Sequence, residues 1–175
     1  MTPGISSTRR LVLISMLSAC GLVIFVFESF LPLLPWFRPG LGNVATLLAL
    51  MIFGFRDAFT VTMLRIVLGA LIMGRLFTPI FIFALSGGLA SLIIMTLVMR
   101  YTKGVFGPVG ISVLGAVAHN MVQLLVAYLL FVKSIEIFIL IPVFMGAGVI
   151  TGAFVGLVAA MIFEKTGKRF GFNTV

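Results

Sequence analysis

Apolar residues run along this chain in long blocks, and short polar or Pro/Gly-containing stretches separate them. Blocks at 11–34, 43–55, 58–74, 80–99, 110–132 and 142–163 each read as a helix. A crossing helix takes about 20 mostly apolar residues, so the pattern predicts an all-α integral membrane protein with six transmembrane helices. Residues 1–175 then form a single transmembrane domain. The block at 43–55 is too short to span unaided at about 1.5 Å per residue. It has to be supported by neighbours, lengthened into its loops, or matched by local thinning of the bilayer. Pro32, Pro35 and Pro39, with Trp36, Arg38, Gly40 and Gly42, preclude a regular helix between the first two blocks and predict an outer loop. Arg56-Asp57, Arg75 with Pro79, the stretch from Arg100 to Pro108, and Lys133 to Glu136 punctuate the rest.

Polar side chains inside the blocks carry the candidate chemistry. The stretch 115–123 places His119, Asn120 and Gln123 in an apolar run long enough to cross a bilayer. Ser112, Ala116, His119 and Gln123 recur at offsets of about 3.5 residues, so on a helix they make one stripe with Asn120 beside it. Lipid offers such groups nothing to bond with, so the stripe should face protein or a water-filled pocket. Two readings stand: interhelical hydrogen bonding that holds the bundle together, and a ligand site. Arg65 falls near the middle of its block, where a guanidinium costs several kcal/mol on insertion scales and needs a partner. Glu28, near the far end of the first block, is the acid assigned to the membrane or its edge. Pairing of the two is expected, against snorkelling or carbonyl contacts for Arg65. Gly148, Gly152 and Gly156 in the last block lay down a small-residue groove suited to close helix packing.

Charge fixes the expected topology. If alternate loops are cytoplasmic, Arg9, Arg10, Arg56, Arg100, Lys103, Lys165, Lys168 and Arg169 fall on one side, and only Arg38, Arg75 and Lys133 on the other. The positive-inside rule then puts both termini in the cytoplasm. Glu28, Arg38, Asn43 and Arg75 gather toward the outer side, above Arg65, His119, Asn120 and Gln123. Three arginines against one acid point to a ligand with negative charge or several hydrogen-bond acceptors. Leu17-Ser18-Ala19-Cys20 matches a lipoprotein cleavage motif, but the apolar run continues well past Cys20, so an intact signal-anchor helix with unmodified Cys20 is expected.

Composition narrows the function classes. Residues are 62% hydrophobic and 9% charged, far from the roughly one-quarter charged usage of soluble domains. The net charge of +8 sits at the ends of apolar runs and not on a folded basic face, which argues against nucleic acid. The single cysteine precludes an intrachain disulfide or a thiolate metal cluster. No Gly-rich loop with Lys-Ser/Thr is present, one His and four dispersed acids make no convincing metal site, and no acid is placed to orient His119 in a triad. The chain is therefore expected to be no enzyme and to hold no cofactor of its own.

The order Phe27-Glu28-Ser29, then Pro39 to Asn43, then Arg65 with Gly69 and Gly74 to Phe77, then Gly115 to Asn120 with Gln123, resembles the bacterial Gx transporter family, also labelled heptaprenyl diphosphate synthase component I. The resemblance runs from about Leu11 to Phe163, and Ala118-His119-Asn120 with Gln123 is its most specific part. That family is similar in turn to the S components of energy-coupling factor transporters. The resemblance implies a six-helix, S-component-like bundle in the bacterial cytoplasmic membrane that captures a small ligand from the outer side. It also implies a coupling T component with ATPases as partner, with Ser15 and Ala19 approximating the docking face on the first helix. Some relatives are tied to flavin-based extracellular electron transfer, which leaves a membrane redox partner as the alternative. An accessory role in prenyl diphosphate or menaquinone metabolism is the other. The synthase label itself fits poorly, because Asp57 is the sole aspartate and aspartate-rich magnesium motifs are missing.

Overall fold

A computed structural model describes residues 7–30, 40–102 and 105–170, with side chains as far as residue 166. Among the described residues six α-helices follow in order: α1 (Ser7–Glu28), α2 (Asn43–Phe53), α3 (Phe55–Ile72), α4 (Pro79–Tyr101), α5 (Pro108–Ala127) and α6 (Ile141–Phe170). A π turn (Tyr128–Val132) continues α5, and a 3₁₀ segment (Ile135–Leu140) leads into α6. Among the described residues four helical stretches, Ser7–Glu28, Pro79–Tyr101, Pro108–Val132 and Ile135–Thr166, are long and apolar enough to cross a membrane. This is a multi-pass membrane protein.

The remaining two helices form a hairpin that depends on one glycine. Gly54 adopts φ 89° and ψ −172°, a conformation that is essentially glycine's alone, and its N–H caps α2 on the Leu50 carbonyl. No loop intervenes before α3. Thr46 meets Thr62 and Asn43 meets Arg65, pairs that are each symmetric about residue 54, so α2 and α3 lie antiparallel. The sequence pattern places the break at Arg56-Asp57; the structure moves it to Gly54 and puts both charged residues in the first turn of α3. An acid there is favoured by the unsatisfied N–H groups and positive end of the helix dipole. Asp57 is further held by Arg10 of α1, whose Nε and Nη2 donate to its two carboxylate oxygens at 2.7–2.9 Å.

Helix α2 is the centre of the bundle. It touches α1, α3, α4 and α6, and every residue but Met51 and Phe53 is buried. Its shortness follows from that position, because a helix wrapped by protein does not have to reach either lipid interface. Of the ways expected to accommodate it, support by neighbours is the one observed. Its Leu47, Leu48, Leu50 and Ile52 form one core with Val61, Leu92, Met95 and Phe163.

Glycines set the other close approaches. Gly152 of α6 lies on the backbone of α5, where an added methyl would sit 2.6 Å from the Val113 Cα. Gly148 does the same against Val117, and Gly156 against Val109. Those contacts run in opposite chain directions, as do Gly115 with Ser91 and Met95, and His119 with Gly87, between α5 and α4. Each helix is thus antiparallel to the one before it. The start of α1 and the end of α6 lie at one end of the bundle, called here the near end.

Other boundaries shift for local reasons. Helix α1 begins at Ser7 and ends at Glu28, where the Ser29 hydroxyl takes the Phe25 carbonyl at 2.9 Å. Residues 31–34, the end of the predicted first block, lie outside the described residues. Helix α3 stops at Ile72 because Gly74 turns left-handed at φ 62° and Arg75 donates back to Ala70 at 2.8 Å. The stretch after Lys133, expected as a plain turn, is 3₁₀ helix from Ile135 onward.

Candidate functional site

The polar residues of the sequence converge on the N-terminus of α2. That helix is lead-in rather than loop from Gly40: the N–H groups of Asn43, Val44 and Ala45 bond the carbonyls of Gly40, Leu41 and Gly42. The N–H groups of Leu41 and Gly42 are left over, and the carboxylate of Glu28 takes them, one oxygen each, at 2.6 and 3.4 Å. No side chain of the capping residue itself does so. Glu28 comes from the last turn of α1 and is buried, so a carboxylate from another helix fills the site that a helix N-terminus offers to anions.

Arg65 approaches from α3. Its guanidinium is 2% exposed and donates through Nη2 to the Asn43 Oδ1 at 2.5 Å. Glu28 acts on it electrostatically. Asn43 donates in turn to the Ser91 hydroxyl of α4 at 3.3 Å. Space for the guanidinium comes from two glycines: any side chain on Gly42 would collide with Nη1, and a methyl on Gly21 would lie 3.3 Å from the Arg65 Cδ. The Nε of Arg65 has no hydrogen-bond partner.

His119 enters from α5 and lies flat against α4, where a methyl on Gly87 would sit 2.9 Å from its ring. Gly40, at φ 76°, is also against the ring, a methyl there lying 3.6 Å from Cδ2 and Nε2. Gln123, one turn on and fully buried, is 2.8 Å from the imidazole Nε2. With the amide nitrogen as donor, Nε2 accepts and the ring proton sits on Nδ1. A cavity of about 10 Å³ is lined by Phe25, Glu28, Gly40, Arg65, Ile66, Ala84 and His119, which is room for about one water. Glu28, Asn43, Arg65, His119 and Gln123 are therefore one cluster.

The other expected residues fall elsewhere. Asn120, though adjacent to His119 in sequence, points to α6 and donates to the Phe144 carbonyl at 2.9 Å. Arg75 lines a separate cavity of about 10 Å³ with Phe25, Ala70, Met73, Ile80 and Phe81. Arg38 lies outside the described residues. Ser15 and Ala19 are exposed on the outer face of α1, as is Cys20, through which α1 runs unbroken. Gly148, Gly152 and Gly156 are covered by α5.

The sequence pattern missed several members of the network. Ser91 belongs to it, and so do the backbone donors of Leu41 and Gly42; the Thr46–Thr62 pair, 2.9 Å apart, is a separate buried contact between α2 and α3. Thr62 gives its proton to the Ala58 carbonyl, so Thr46 is the donor between the two hydroxyls. The Gly40-Leu41-Gly42 and Gly87-Gly88 pairs were the available signal, since close backbone approach is what glycine permits.

Among the described residues, no group of three or more His, Cys, Asp or Glu could hold a metal ion. The cluster offers a guanidinium, two amides, backbone N–H groups and an imidazole. Those are recognition groups for carboxylate-like acceptors.

No curated protein and no solved structure matches this chain. The family model described as heptaprenyl diphosphate synthase component I matches residues 17–162, and with that span covered the chain belongs to this family.

Proposed function

We propose that this protein is a membrane substrate-binding subunit, similar in role to an energy-coupling factor S component, that takes a small ligand into the cluster at the N-terminus of α2. The observation that carries the reading is the buried Arg65 guanidinium, held by Asn43 and facing a cavity shared with Glu28 and His119. An arginine at that depth is costly, and such groups in membrane helices mark ligand or ion pathways. Apolar helices around it would hold the rest of a ligand, as in most small-molecule sites.

The topology that goes with this reading has six crossings and both termini in the cytoplasm. Support comes from the alternating helix directions and from Arg9, Arg10, Arg56, Arg100 and Lys165, all at the near end. The near end is then cytoplasmic, and the cluster, at the end of α1 and the start of α2, lies toward the far, outer end. The cavity has room for about one water, so a larger ligand requires the chain around Gly40 and Ala84 to part. A coupling T component with ATPases is the partner that this role implies. The family's description names a synthase component, and Asp57, the carboxylate a magnesium-diphosphate site would draw on, is engaged by Arg10 at the near end. That favours binding over turnover.

Native mass spectrometry of the protein purified in detergent tests the reading. The expected result is a bound small molecule of defined mass that is lost in a folded Arg65→Gln protein. A molecule retained equally by both proteins overturns it.

A further inference from the structure

The anion site at the start of α2 is already occupied by part of the protein. The Leu41 and Gly42 N–H groups receive one oxygen each from a single carboxylate, which is the bidentate geometry of a planar anion on a helix N-terminus. Helix α2 is 11 residues long and buried almost throughout, so its positive end lies inside the bundle and is poorly screened by water. A second donor group converges on the same place: Arg65 lines the same cavity as Glu28, its Nη1 lies against Gly42, and its Nε is buried without a partner. One cradle thus holds a resident carboxylate and keeps a guanidinium donor unspent.

We infer that Glu28 is a built-in stand-in for the carboxylate of a ligand. A carboxylate-bearing molecule takes the Leu41 and Gly42 N–H groups as Glu28 leaves them, and Arg65 supplies the second contact. Exchange conserves the hydrogen bonds of the helix start, so neither state strands buried N–H groups. It also accounts for a cavity with room for only about one water: Glu28 fills the position. This inference deepens the binding reading by naming the ligand's chemical class, and it rests on that reading.

The experiment uses acetate as probe on the full-length protein in nanodiscs, with thermal unfolding as readout and chloride at matched ionic strength as reference. Glu28→Ala empties the cradle. Acetate should then raise its unfolding midpoint saturably, by about 3–6 °C at about ten times the half-saturating concentration, and should move the wild-type protein less at the same concentration, because there it competes with Glu28. Glu28→Gln keeps an acceptor for one N–H and serves where the alanine protein does not purify folded; its midpoint should rise with acetate by less. An equal response in wild type and variants, or none in either variant, overturns the proposal. A response to inorganic phosphate as large as that to acetate overturns the carboxylate assignment. The copurified ligand plays no part in this measurement, so a failure of the cradle and a failure of the binding role are distinguishable.

Discussion

Exchanging glycine for alanine at two positions of α6 should change stability in opposite directions. Gly146 has nothing within 4 Å of where a methyl would go, and it is exposed. Gly146→Ala therefore adds only the helix preference of alanine, up to about 1 kcal/mol. At Gly152 the same methyl would sit 2.6 Å from the Val113 Cα and 3.0 Å from both the Ala116 Cβ and the Ser112 carbonyl oxygen. Carbon contacts settle at about 3.5–4.0 Å, so the overlap is about 1 Å against a backbone that cannot rotate aside. Helix α6 must retreat along a seam that also contains Gly148 and Gly156. Overpacking of this kind costs about 1–3 kcal/mol, and after a propensity gain of about 1 kcal/mol Gly152→Ala should be destabilised by up to about 2 kcal/mol. Unfolding midpoints of both proteins in one detergent check the signs. A Gly152→Ala protein as stable as Gly146→Ala would refute the α5–α6 seam and return the glycine groove to the pool of faces open to a partner.

Further outcomes follow from the same geometry. Gly54→Ala should cost about 1–3 kcal/mol through the backbone alone, whereas Gly107→Ala, with ordinary φ −69° and equally open space, should cost far less; equal midpoints would contradict the hinge. Thr46→Val leaves the Thr62 hydroxyl oxygen without its donor and should cost about 1 kcal/mol, measured against Thr60→Val on the exposed face of the same hairpin. Asp57→Asn should lower stability by at most about 1 kcal/mol, because Arg10 is half exposed, and the difference from wild type should shrink as salt rises.

The long elements were legible because apolar runs near 20 residues leave few alternatives in a chain this hydrophobic, and α3, α4 and α5 fall close to their blocks, whereas α1 starts and ends four to six residues earlier than its block. The break between α2 and α3 was not, since a charged pair draws the eye more than a lone glycine whose φ only the backbone reveals. Arg65, Glu28, Asn43 and His119 were legible as polar groups with no water to meet. Ser91 and Thr46 were not: hydroxyls in helices commonly satisfy themselves on the preceding turn, as Ser86 and Thr96 do here. Asn120 illustrates the limit of spacing. It follows His119 by one residue, and the roughly 100° step per residue turns it from the α4 side to α6. The donors of Leu41 and Gly42 leave no mark in any side-chain pattern.

That divergence supplies the most direct test of the site. The dissociation constant of the copurified ligand, titrated into nanodisc-held protein, should rise about tenfold or more in His119→Ala, the loss of about 1.4 kcal/mol expected for one hydrogen-bonding contact. In folded Asn120→Ala it should stay within about twofold of wild type, because Asn120 is bonded to α6 and not to the cavity. Equal weakening in both proteins, or none in His119→Ala, would contradict a ligand site at the start of α2 and leave the buried polar residues as the glue of the bundle.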